Sequence, residues 1–303
     1  MCDMCGFNFD KICRFLSSFW SQSQVAGVYT YCIMDKETDF MGKEISLRNR
    51  QRIKEARLID NAFMNAFFDN NNEAVEFILR IILNDKDIMV IDSKVESVLK
   101  NLQGRDVILD IHAVDGCGNE MNIEIQRSPE GASRKRARYH SAMLDSHMLS
   151  PNQAMDELKD SYVIFITESD VLECVDPLYK IERKILNTNE QFNDGEHIIY
   201  VNGADQDSTT ELGRLMHDFF CADPDEMNYP ILAKKSRQLK TTKAGGSYME
   251  SFLDKCDREL IENRNIEIAM MLINRGKDSY EEIAEISGLP VEKVAELARD
   301  KAV

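Results

Sequence analysis

Hydrophobic residues settle into helical spacing from about Leu47. Ile59, Ala62, Phe63, Ala66 and Phe67 share one face, with Asp60 at its edge. "DNNN" at 69–72 breaks that helix, and Asn72 is placed to cap a second one carrying Val75, Ile78, Leu79 and Ile82. The period then changes. "GRDVILDIHAVDGCGNEMNIEIQR" (104–127) alternates apolar and polar residues on both sides of a glycine-bearing turn, which predicts a β-hairpin. "SPEGAS" reads as a loop, after which Ala137, Ser141, Leu144 and Met148 return to helical spacing. "YVIFIT" (162–167) and "HIIYVN" (197–202) are short β-branched runs of the kind that form buried strands, and a helix follows over 209–220. This order predicts an α/β fold, a mixed sheet flanked by helices.

The hairpin carries more charge than its setting explains. A turn over 115–119 sets Val114 opposite Glu120, and the same register sets Asp110 opposite Glu124 and Ile108 opposite Gln126. Side chains opposite each other on one face lie about 5 Å apart at Cβ. Leu109, Ile111, Ile123 and Ile125 on the other face fix the parity, since a slip of one residue would send the acids to opposite faces. Two carboxylates that close repel unless protonated or neutralised. A divalent cation with oxygen ligands neutralises them, and Mg²⁺ typically takes one or two carboxylates plus water and phosphate oxygens. His112 shares this face but reads as a hydrogen-bonded sheet histidine. Asp106 lies roughly 13 Å along the strand from Asp110, too far for the same ion.

Charge and composition narrow the setting. The 303-residue chain carries a net charge of −16, a field that repels nucleic acid unless a local patch reverses it. Such a patch exists: residues 127–138 hold five basic side chains (Arg127, Arg134, Lys135, Arg136, Arg138) against Glu130 alone, a local net of +4. Arg134 and Arg138, at i and i+4, flank the apolar stripe where they reach toward phosphate. There is no run of about 20 apolar residues to span a membrane, and no secretory signal is visible. Eight cysteines in 303 residues do not make a disulfide scaffold, so a reducing cytoplasm is expected. Cys2 and Cys5 have zinc-ligand spacing, but no second pair follows at finger distance. No P-loop, dinucleotide fingerprint or serine nucleophile elbow occurs.

An Asp, a strand–turn–strand, Glu-x-Gln, and then a basic helix with "RARY" resemble the PD-(D/E)XK nuclease superfamily, and within it the recombination-promoting nuclease/putative transposase family. "DNAFMNAFF", "NLQGRDVILDIHAVD", "MNIEIQR", "RKRARYHSAML", "YVIFIT", "HIIYVNG" and "ELGRLMHDF" carry the resemblance in order over roughly residues 55–240. It implies a restriction-endonuclease-like core and Mg²⁺-dependent DNA cleavage, with Mn²⁺ as a substitute. Asp110 and Glu124 would be the metal carboxylates. Gln126 would stand where most of the superfamily has Lys, as in this family's own pattern. An amide positions water or a phosphate oxygen by hydrogen bonds but supplies no charge, so modest activity is expected. Asp60 matches an acidic position on the family's first helix and is a further candidate ligand. Arg127, Arg134 and Arg138 are the candidate phosphate contacts.

Three regions are expected: a leader at 1–45, disordered or a mis-assigned start with Met34 or Met41 as alternatives; a nuclease-like domain at 46–242; and a helical module at 247–303. "KAGGSY" (243–248) reads as the hinge between the last two. Gly288 and Pro290 punctuate two short helices that resemble a helix–turn–helix, but residues 277–303 hold four basic against seven acidic side chains. That charge favours a protein-binding or dimerisation role over groove reading, and paired cuts by two active sites also favour a homodimer. The expected function is a DNA endonuclease of mobile-element type. The alternative is a nuclease fold whose catalysis has decayed, retained to bind DNA or protein.

Overall fold

The computed structural model describes residues 46–101 and 104–300, so the leader and its Cys2/Cys5 pair lie outside the described residues. The chain divides into two compact units, one of them Ile45–Leu253. Its first elements are helices α1 (Leu47–Glu55), α2 (Asn61–Phe68) and α3 (Asn72–Leu83). Phe63, Met64, Asn65, Ala66, Phe67 and Phe68 of α2 are all buried, so the helix lies in the core. Ile59, expected on that helix, is buried just before it. The cap of α3 is Asn71, one residue earlier than expected, and its side chain accepts from the Ala74 N–H.

Six strands form one sheet in the order β1 (Val90–Leu99), β2 (Val107–Asp115), β3 (Glu120–Gln126), β4 (Ser161–Thr167), β8 (Glu196–Asn202) and β5 (Leu178–Ile181). The β1–β2, β2–β3 and β8–β5 pairs are antiparallel, and β3–β4 and β4–β8 are parallel. A separate two-stranded ribbon pairs β6 (Lys184–Ile185) with β7 (Glu190–Gln191). The hairpin, the two buried runs and the mixed sheet match the α/β expectation. β1 was not anticipated, because "VIDSKVESVL" follows no clean alternation.

The sheet packs against helices on both faces. Ile111, Ala113, Met121, Ile123, Ile125, Ile164, Ile166, Ile199 and Val201 join α1, α2, α3 and the later helices in the main core. Fully burying one such side chain contributes roughly 1.5–3 kcal/mol. Val163, Phe165 and Tyr200 form a second cluster with Ala137 of α4 (Arg134–Met148). That helix buries Ala137, His140, Ser141 and Leu144, the expected stripe plus a histidine. Tyr139, unassigned by pattern, donates to the Arg105 carbonyl at 2.6 Å and accepts from Asn101.

After β8 come α5 (Glu211–Phe220), α6 (Pro230–Thr241) and α7 (Lys243–Arg275). "KAGGSY" is therefore helical, and the chain breaks its helix at Thr242 instead of at the glycines. Gly245 is required there, since a Cβ on it would lie 2.2 Å from the Gln238 carbonyl oxygen. The second unit includes residues 254–300 of the described chain. In it Ala269, Leu272, Ile283, Leu289 and Val294 pack together across the rest of α7, α8 (Tyr280–Ser287) and α9 (Val291–Asp300). Ser279 and Glu282 form a capping box at the start of α8, and Gly288 ends it in the left-handed conformation, φ 73°.

The fully buried Asp218 of α5 accepts from the Asn228 and Tyr229 N–H groups at 2.7 and 2.9 Å, fixing the start of α6. Asp218→Ala removes the acceptor from both donors, at a cost of about 1–3 kcal/mol in denaturant unfolding.

Candidate active site

The β2–β3 hairpin has the register expected of it. Val114 pairs with Glu120, Ala113 with Met121, His112 with Asn122 and Ile111 with Ile123. Asp115 builds the turn by accepting from the Cys117 and Asn119 N–H groups at 2.8 and 2.9 Å. His112 hydrogen-bonds Glu120 at 2.8 Å and has a structural part, as does Asp106, which binds Lys100 and the Asn101 N–H.

Backbone pairing stops at Ile111 and Ile123, where the next residues are Asp110 and Glu124. Side chains take over from there. The Ile125 N–H donates to Asp110 Oδ2 at 2.8 Å, and the Asp110 N–H points to Glu124 Oε1 at 3.4 Å. The hairpin thus opens by inserting one carboxylate between its strands, which satisfies backbone donors that the ladder has released. The acids are neighbours because the strands are in register, and they face each other because the ladder ends there.

Glu124 is fully buried. Its Oε2 accepts from Arg136 Nη2 at 2.9 Å and from Gln126 Nε2 at 3.4 Å, and His140 Nδ1 lies 3.3 Å from Oε1. Burial alone would push its carboxyl up, but the His140 hydrogen bond and charge, with Arg136 and the Asn122 amide, outweigh that and hold it below the ordinary value. Asp110 goes the other way. Burial, then the adjacent Glu124 charge, push it up to about 7, against the pull of the Ile125 N–H and Arg136; the Glu96 charge adds to the rise. One carboxylate is therefore ionised and its neighbour retains a proton near neutrality, which is how two acids share one buried site when no cation separates them.

Gln126 lies at the end of β3 against the 3₁₀ turn Pro129–Ala132. A Cβ on Gly131 would stand 2.0 Å from Gln126 Oε1, so only glycine leaves room for the amide as placed. Asp60, at the cap of α2, is held by Arg57 and Arg127, each at 3.2 Å, and Arg127 also pairs with Glu168. The structure thus brings together Asp110, Glu124 and Gln126, and engages Asp60 with guanidinium groups instead. Among the described residues no group of three or more His, Cys, Asp or Glu side chains is placed to hold a metal ion. Arg134 and Arg138 are exposed, as is Lys135. Arg136, Asn122 and His140 were not anticipated. Asn122 was findable, since it shares the face of Glu124 two residues along the strand. Arg136 and His140, at i and i+4 beside the apolar stripe, were obscured by the charge run around them.

The donor set fits a hard divalent cation. Two carboxyl groups and the Gln126 amide supply oxygen donors, the cationic partners Arg136 and His140 sit on Glu124 and, among the described residues, leave Asp110 without one, and the buried Asn122 Oδ1 has no partner.

The six-stranded mixed sheet, with an acid pair on adjacent central strands under a basic helix, defines a restriction-endonuclease-like α/β protein. A family model described as PD-(D/E)XK nuclease family transposase matches residues 47–213, and the chain belongs to that family. No curated protein and no solved structure matches it. The matched span includes the acid pair, Gln126 and all of α4. Among the described residues no helix is long and apolar enough to cross a membrane.

Two outcomes follow from this geometry. Without added cations, Asp110→Asn should be more stable than the parent at pH 8, by about 1–3 kcal/mol. Asp110 is raised in the fold, so its protonated form stabilises below the unfolded value near 3.8, and that contribution is lost as pH rises through about 7. Thermal unfolding should show the gap at pH 8 and its closure below pH 4. Gly131→Ala should displace the Gln126 amide with little change in melting temperature, visible as a shifted Gln126 side-chain amide resonance.

Proposed function

We propose that the protein is a metal-dependent DNA endonuclease of mobile-element type, hydrolysing phosphodiester bonds with Mg²⁺, for which Mn²⁺ substitutes. The observation that carries this reading is the placement of Asp110 and Glu124 side by side, beneath Arg136, in a chain of a nuclease family. Asp110 and Glu124 would hold the cation. When bound, it supplies Lewis-acid polarisation of a phosphate oxygen and a nucleophilic water at neutral pH.

The chain's own residues do the rest. The Gln126 amide, packed on Gly131, orients water or a phosphate oxygen through hydrogen bonds. Arg136 brings a fixed positive charge next to Glu124 and meets charge developing on the phosphate, partly replacing what a lysine at position 126 would give. His140 and Asn122 fix the orientation of Glu124 from behind. Arg134, Lys135 and Arg138, exposed on α4, hold the DNA backbone, which gives affinity without sequence choice. Asp60 orients Arg127 at the end of β3 for the same purpose. The acidic helices of residues 254–300 serve contact with protein, a second copy included, in the cytoplasm.

A second reading, a decayed nuclease kept as a DNA- or protein-binding module, draws on one observation: both oxygens of Glu124 are engaged by Arg136 and His140. Plasmid nicking separates the two. Purified protein should nick supercoiled DNA with Mg²⁺ or Mn²⁺ and stop with EDTA. Asp110→Ala and Glu124→Ala should each lower the rate at least about 100-fold, since either removes a metal carboxylate. Cleavage by both variants at the parent rate overturns the site, and no cleavage by the parent with either metal favours the second reading.

A further inference from the structure

The register carries the acid pair one strand beyond the hairpin. In β1–β2, Val95 pairs with Ile111 and Ser97 with Leu109, which sets Glu96 across from Asp110. Asp110 is across from Glu124 by the hairpin register. Three carboxyl-bearing residues therefore lie in one row over β1, β2 and β3. Glu96 drops out of the pairing while both its neighbours keep theirs, and its backbone is left-handed, with φ 51°. Any residue with a Cβ is strained there, and glycine is not.

A buried amide meets Glu96 from α2. Asn65, 1% exposed, donates Nδ2 to Glu96 Oε1 at 2.9 Å and to Asn61 Oδ1 at 3.1 Å. The other end of that amide, Asn65 Oδ1, is buried without a partner. Waters around a divalent cation are donors. An unmatched acceptor on the amide that holds Glu96 is a group such waters can satisfy.

Resting on the cation site proposed above, we propose that Glu96 is a positioning residue for it: with Asn65 it holds the hydration of the cation bound by Asp110 and Glu124, and so sets its affinity. The left-handed backbone at Glu96 is then retained for the carboxylate it presents. A purely structural tie between α2 and β1 would need only an acceptor for Asn65.

Calorimetric titration with Mn²⁺, with no DNA present, distinguishes these roles. Glu96→Gln keeps an oxygen acceptor for Asn65 and removes the charge. It should weaken Mn²⁺ binding roughly tenfold while leaving the cation-free melting temperature unchanged. Glu96→Gly should weaken binding at least as much, since it removes the carboxylate and the Asn65 acceptor together. If Glu96→Gly fails to fold, Glu96→Gln carries the test alone. Parent-like Mn²⁺ binding by Glu96→Gln, alongside lost binding in Asp110→Asn, overturns this inference and leaves the site standing. A loss of affinity in Glu96→Gln matched by a fall in cation-free melting temperature also overturns it, as a structural role. Parent-like binding in Asp110→Asn overturns the cation site itself.

Discussion

The structure turns on one hydrogen bond, from the Ile125 N–H to the Asp110 carboxylate. A buried sheet normally satisfies each backbone donor with the neighbouring strand. Here β2 and β3 stop doing so after Ile111 and Ile123, and an acidic side chain fills the gap. That exchange opens the sheet without leaving a donor unmatched, and it puts two carboxyl groups in contact that water would keep apart. The apolar residues of the opposite face hold the register, so the acids cannot slide away from each other.

Helix α4 makes the arrangement tolerable. Its apolar residues dock on the strands, and that docking aims Arg136 and His140 at Glu124. Their charge and hydrogen bonds keep Glu124 ionised in a place where burial opposes it, while Asp110 absorbs the remaining repulsion by holding a proton. The pair is thus set apart electrostatically although the two groups are alike chemically. In the proposed function, a cation displacing that proton would relieve the same repulsion.

Much of this was legible in the chain. Strict alternation on both sides of a short turn fixes parity and, with the turn over 115–119, the pairing of Val114 with Glu120 on which the acid pair depends. The buried strands at 161–167 and 196–202 announced themselves as β-branched runs. What was not legible lies where local pattern and tertiary contact part company. β1 carries a bulge near its start, serines among its apolar residues and a left-handed residue, so no period betrays it, and Glu96 stayed hidden with it. The glycines at 245 and 246 suggested flexibility, yet Gly245 serves a close approach of helix backbones. Asp60, on the edge of an apolar face, is engaged by Arg57 three residues before it and by the distant Arg127, and the second of these partners has no signal in local sequence.

The measurement that bears most directly on the acid pair is a crystal structure of the protein soaked in Mn²⁺, with anomalous data collected near the manganese edge. An anomalous peak about 2.1–2.3 Å from carboxylate oxygens of both Asp110 and Glu124 is the predicted result. No peak between these two carboxylates at saturating Mn²⁺, with both side chains well ordered, would contradict it.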